Sequence, residues 1–161
     1  MVRKPGQLLK ISRRTVVAGT AALLAARAVA RPASAELAGE RSVSFQEAYA
    51  RIVGDRTPEA GALTMELPEL AENGNMVLFK LAAESPMTEA EHVKALHLLS
   101  TQNPQGHVAT FKLSLLSGEA RVSGRMRLAK TQDVVALAEL SDGRVLMASS
   151  TVQVTIGGCG I

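Results

Sequence analysis

Among 161 residues there is one cysteine, no tryptophan, one tyrosine, three phenylalanines and three histidines. A lone cysteine excludes an internal disulfide and every metal motif built on paired cysteines. With aromatics at 2%, the chain lacks the ring platforms on which single-stranded nucleic acids stack, so nucleic acid is not an expected partner. There is no phosphate-binding glycine loop and no G-x-S-x-G nucleophile turn. His92, His97 and His107 stand five and ten residues apart, a spacing without a zinc pattern, and the first two would face opposite sides of one strand. They read as surface or loop histidines. The composition thus leaves no catalytic or metal-ligating set and implies no cofactor.

Long apolar runs are absent as well. Val16 to Ala26 is 11 residues, short of the ~20 that span a bilayer, so no membrane anchor is expected. This run belongs to an export signal. A basic leader precedes Ser12-Arg13-Arg14-Thr15-Val16-Val17, and Ala33-Ser34-Ala35 supplies a small-residue cleavage site before Glu36. The Arg13-Arg14 pair resembles a twin-arginine (Tat) signal, which serves the export of folded proteins to the periplasm. Residues 1–35 hold seven of the 18 Lys and Arg and none of the 15 acidic residues, leaving 11 basic against 15 acidic groups beyond them. The basic character of the whole chain is therefore that of an address label. The expected organisation is a signal peptide over 1–35, one domain over 36–156 and a flexible glycine-rich arm over 157–161.

What is present reads mainly as β-structure. Ser42 to Val53 is expected as one short helix, with Ser44 as N-cap and Glu47 completing a capping box. Its apolar stripe is Phe45, Ala48, Tyr49, Ile52 and Val53. A stretch punctuated by Pro58, Gly61 and Pro68 follows, ending in the turn Asn73-Gly74. Strand-like runs occupy Met76–Ala83, His92–Ser100, Val108–Leu116, Ala120–Leu128, Val134–Leu140 and Val145–Ile156. Asp142-Gly143 predicts a hairpin with a two-residue type I′ turn. From Ala120 to Leu128, apolar residues and glycine alternate with Arg121, Ser123, Arg125 and Arg127, a strand with one buried and one solvated or partner-facing side. Met65, Met76, Met87, Met126 and Met147 read as core filler. Runs of this length without intervening helices predict an antiparallel β-sandwich with a short N-terminal helix.

The chemistry concentrates at the far end, in Thr155-Ile156-Gly157-Gly158-Cys159-Gly160-Ile161. A core cysteine would occupy an apolar strand position, whereas Cys159 lies beyond the last strand and between glycines. Gly157, Gly158 and Gly160 predict a thin, flexible arm. Three residues past Ile156, that arm would carry the thiol roughly 10 Å beyond the sheet. No base or cation is fixed beside the thiol in the sequence, so its activation must come from a partner. Such a residue suits a covalent carrier that is inert alone and reactive when docked.

The tail Val152 to Gly160 closely resembles the C-terminus of the SoxY family of thiosulfate-oxidation carriers. Further agreement lies in Glu72-Asn73-Gly74, Glu84 to Thr88, His92 to His97, Arg127 to Ala136 and Ala138 to Gly143. The resemblance implies an immunoglobulin-like sandwich paired with a second small β protein, SoxZ-like, as a heterodimer. It implies that a c-type haem (SoxAX-like) enzyme couples thiosulfate onto Cys159 and that a dimanganese (SoxB-like) hydrolase releases sulfate. A SoxCD-like sulfane dehydrogenase is a further implied partner. The family's tail ends in glycine where this chain has Ile161, a bulkier and stiffer residue. Two readings compete with the carrier. In one, an interaction module uses Cys159 for an intermolecular disulfide. In the other, the thiol serves an enzyme, and a flexible tail holds no base at hydrogen-bonding distance for it.

Overall fold

The structure, a computed structural model, describes residues 41–158. The chain opens on helix α1 (Val43–Val53), and eight strands follow: β1 (Leu63–Glu66), β2 (Leu70–Asn73), β3 (Val77–Ala83), β4 (Val93–Ser100), β5 (His107–Lys112), β6 (Ala120–Met126), β7 (Gln132–Leu140) and β8 (Val145–Ile156). They form a sandwich of two sheets, one ordered β1-β3-β6 and the other β2-β8-β7-β4-β5. The expected β-sandwich with a short N-terminal helix is thus the observed architecture. One pairing departs from antiparallel: β2 lies parallel to β8, with Ala71 opposite Val154 and Asn73 opposite Ile156.

Leu81, Leu96, Leu98, Leu128 and Val134 lie fully buried in the space between the sheets. A second apolar layer covers the outer face of the larger sheet, where Phe45, Ala48 and Val53 of α1 pack on Leu99, Val135, Leu137 and Met147. This explains the unbroken apolar run of β7. Its alternate residues enter both layers, so it lacks the alternation of a strand with a wet face. Along β6 and the two residues after it that alternation is present: Arg121, Ser123, Arg125 and Arg127 are exposed, while Ala120, Met126 and Leu128 are buried.

Several local expectations are corrected. Ser42, not Ser44, caps α1, its hydroxyl accepting the Phe45 N–H at 3.2 Å. The Ser44 hydroxyl instead accepts the Gly106 N–H at 3.0 Å, tying the helix to the β4–β5 turn. Gly106 must be glycine, because a Cβ there would sit 2.3 Å from the Phe45 backbone. At Asp142-Gly143 only the glycine has positive φ, at 91°. The Gly143 N–H bonds back to the Leu140 carbonyl. This is the three-residue hairpin in which a left-handed residue follows a type I turn, not a type I′ turn. The Val108–Leu116 run bends out of the sheet after Lys112 into a 3-10 turn at Leu115–Ser117. Met76 is 64% exposed and is no part of the core, unlike Met87, Met126 and Met147.

Phe45→Ala, which empties the centre of the helix-covered layer, is expected to lower unfolding free energy by about 3–5 kcal/mol in a urea titration. Leu116→Ala, at a side chain 97% exposed, should stay within about 0.5 kcal/mol of the parent.

Candidate functional site

The root of the C-terminal arm is built from three backbone segments that meet where β8 ends. The Gly74 N–H donates to the Ile156 carbonyl at 2.7 Å, and the Leu128 N–H donates to the Gly74 carbonyl at 2.8 Å. The Gly158 N–H donates to the Leu128 carbonyl, also at 2.8 Å. The β2–β3 turn, the β6–β7 connection and the tail are thereby stitched together, joining the two sheets at this end.

Only glycine fits at these positions. A Cβ on Gly158 would lie 2.0 Å from the Gly74 carbonyl carbon and 2.1 Å from the Asn75 nitrogen. One on Gly157 would lie 2.1 Å from the Ala129 oxygen, and one on Gly74 would lie 2.3 Å from the Leu128 oxygen. None of the three needs a left-handed backbone; each is required by close approach. Gly157 and Gly158, expected as free arm, are here seated against the sandwich, with Gly158 buried. Cys159 and Gly160 lie outside the described residues, as do Arg13, Arg14, Ala35 and Glu36.

A buried polar pair holds the connection that grips the tail. The Asn103 side-chain amide donates to the Arg127 carbonyl at 2.8 Å, and its oxygen accepts the Ala129 N–H at 2.9 Å and a Gln132 side-chain N–H at 2.7 Å. The Gln132 oxygen in turn accepts the Gln102 and Asn103 N–H groups. Asn103 and Gln132 are 6% and 2% exposed, so each satisfied bond avoids the cost of an unpaired buried dipole. In the sequence, Asn103-Pro104-Gln105-Gly106 signals only a turn. The signal available was an amide at each end of the segments that become neighbours.

Two of the three histidines, His97 and His107, converge on one hydroxyl, that of Thr110. His92 precedes β4, and His107 bonds the Thr110 hydroxyl at 2.8 Å. His97 is buried, which corrects its reading as a surface or loop residue. Its ring bonds Thr110 at 2.8 Å and the Glu139 carboxylate at 3.3 Å. Arg56 closes the network, bonding Glu139 at 2.8 Å and the Ile52 and Val53 carbonyls at the end of α1. Burial pulls His97 below its ordinary value, against the pull of Glu139. Burial also pushes Glu139 up, but hydrogen bonds from Arg56 and His97 outweigh it and hold the carboxyl below its ordinary value. This network pins the helix and lies on the outer face of the sheet. Among the described residues, no group of three His, Cys, Asp or Glu side chains could hold a metal ion.

Two surface features flank the root. Leu67, Leu70, Met76 and Leu78 line an open cleft of about 500 Å³ beside Asn73, and the last three are 55–64% exposed. On the other side, Arg127 lines a cavity of about 370 Å³ with residues of the β4–β5 turn. Neither the apolar cleft nor the cavity was foreseen from the sequence.

A family model described as sulfur oxidation protein SoxY matches residues 49–159, through the cysteine itself. Among solved structures, the sulfur carrier protein SoxY from Chlorobium limicola f thiosulfatophilum is 30% identical with a TM-score of 0.58, covering 71% of this chain and 100% of that one. The superoxide reductase (neelaredoxin) from Ignicoccus hospitalis has a TM-score of 0.53 at 13% identity, covering 58% of this chain and 79% of that one. At that identity it shares the fold alone. No curated protein matches the chain.

Gly158→Ala is expected to open the root, speeding hydrogen exchange at the Leu128 and Gly74 amides by about tenfold or more while amides of β7 keep their protection. The His97 network sets a second expectation. The unfolded state takes up a proton as pH falls through 6.5, the ordinary histidine value, before the buried ring does. Stability is therefore full above pH 6.5 and declines below it. In thermal melts, His97→Gln should flatten the dependence between pH 7.5 and 5.5 and leave the acid loss below pH 4.5, the ordinary value of Glu139.

Proposed function

We propose that this chain, which belongs to the SoxY family of sulfur oxidation proteins, is a periplasmic carrier that holds sulfur covalently on Cys159. Its membership rests on the match across residues 49–159 and on the SoxY carrier structure aligned over its whole length. The observation that carries the mechanism is the glycine-only root. Among the described residues, the last hydrogen bond of the tail to the sandwich is made by Gly158, and the single cysteine of the chain is the next residue in sequence.

In the loading step, the Cys159 thiolate and thiosulfate lose two electrons to a haem partner and form a sulfur–sulfur bond, giving a cysteine S-thiosulfonate. Water then cleaves the bond between sulfur and the sulfonate group. Sulfate and two protons leave, and a persulfide remains on the cysteine. A sulfane dehydrogenase is a further partner that would act on that persulfide. The chain supplies the nucleophilic sulfur and its position, and the partners supply the base and the electron acceptor. The arm is short, so a loading enzyme must bring its reacting group to the surface of the sandwich or draw the tail out of its seat. Pairing with a second small β protein would cover the cleft of Leu70, Met76 and Leu78, the part of the described surface with exposed large apolar groups close together. The Arg13-Arg14 leader fits export of such a pair already folded.

Cys159→Ser should preserve the far-UV spectrum and the pairing with the second subunit while abolishing uptake of thiosulfate sulfur, read as added mass. Uptake that persists in this variant contradicts the assignment of Cys159.

A further inference from the structure

The basic stretch that runs from β6 into the β6–β7 connection is not neutralised among the described residues. Arg121 pairs with Glu119 at 3.3 Å, but no carboxylate of the described residues pairs with Arg125, Arg127 or Lys130. Of these, Arg127 lines the cavity of about 370 Å³ with Asn103, Pro104, Gln105, His107 and Val108. Its backbone is immobilised from beneath, because its carbonyl accepts from the buried Asn103 amide. The next residue, Leu128, is the one that grips Gly158.

The described part of the tail runs along the connection that leads to this cavity. Gly157 packs against Ala129 and Gly158 bonds to Leu128, so each step along the tail recedes one residue along the connection. The step after Leu128 is Arg127. An arginine side chain and a cysteine carrying two further sulfur atoms each extend several ångströms. The guanidinium fork matches an oxyanion with two parallel hydrogen bonds.

On the carrier reading, the cargo on Cys159 ends in a sulfonate. We infer that Arg127 and the cavity it shares with His107 form a resting site for that sulfonate, a built-in anion site for the loaded arm. Lys130 lines a different cavity, with Arg41, Ser42, Val43 and Gln102, and lies on the side the tail is leaving. The site distinguishes the stages of the cycle. An S-thiosulfonate presents oxygens for the fork, whereas a bare thiol presents none.

The test loads the chain through its one cysteine. Tetrathionate converts Cys159 to the S-thiosulfonate and releases thiosulfate, while methyl methanethiosulfonate installs a neutral methyl disulfide and releases methanesulfinate. In ¹H–¹⁵N spectra, the anionic adduct should shift the Arg127 Nε–H signal and the amides of Gln105 to Val108, and the neutral cap should not. In Arg127→Gln the amide shifts should fall below half, with Arg127→Lys retaining part of them, although mass spectrometry shows complete loading in all three. Equal shifts with both caps, or undiminished shifts in Arg127→Gln, overturn the resting site and leave the carrier standing. A cysteine that takes neither reagent overturns the carrier reading and this site with it.

Discussion

Where β8 ends, three backbones cross so closely that a Cβ on any of the glycines there would overlap a neighbour's backbone atoms. That exclusion, at Gly74, Gly157 and Gly158, governs the end of the molecule where the tail leaves the sandwich. Removing the Cβ atoms lets the tail lie between the β2–β3 turn and the β6–β7 connection, and the bonds among Ile156, Gly74, Leu128 and Gly158 follow from that proximity. Through them the small sheet, the large sheet and the arm share one junction. The parallel pairing of β2 with β8 delivers the Asn73-Gly74 turn to the place where β8 ends. The buried Asn103–Gln132 pair keeps the other wall of the seat from moving away.

Much of this architecture was legible. The limits of β8, the alternation of β6 and the apolar stripe of α1 follow from periodicity alone, because each element buries one predictable face or ends at a glycine. The missing pieces depend on partners distant in sequence. β1 and β2 are four residues each, and Pro58, Gly61 and Pro68 mask them. The parallel contact of β2 with β8 has no local signature. Two serines could cap α1, and a donor 62 residues away at Gly106 decides which hydroxyl is occupied. His97 looks like an ordinary polar strand position until β5 and β7 bring Thr110 and Glu139 to its two ring nitrogens.

The tail teaches a sharper lesson. Its composition announces glycine, but glycine has two uses, conformational latitude and small size, and the letter does not say which applies. Gly157 and Gly158 invite the first reading, whereas the structure uses the second. For a carrier this changes the mechanical picture from a long free arm to a short one with a defined root. Around that root the surface offers two different chemistries, a cavity lined by Arg127 and an apolar cleft lined by Leu70, Met76 and Leu78. A similar sandwich occurs in a superoxide reductase at 13% identity, so the fold alone does not set this role.

The claim at the centre is that sulfur rides on Cys159. It is tested most directly by the intact mass of the exported protein from thiosulfate-fed cells, recorded before and after a thiol reductant. The account predicts a reductant-labile increment, thiosulfonate or sulfane sulfur, that maps to the C-terminal peptide containing Cys159. An unmodified thiol throughout, or a stable disulfide to another chain with no sulfur increment, would contradict it.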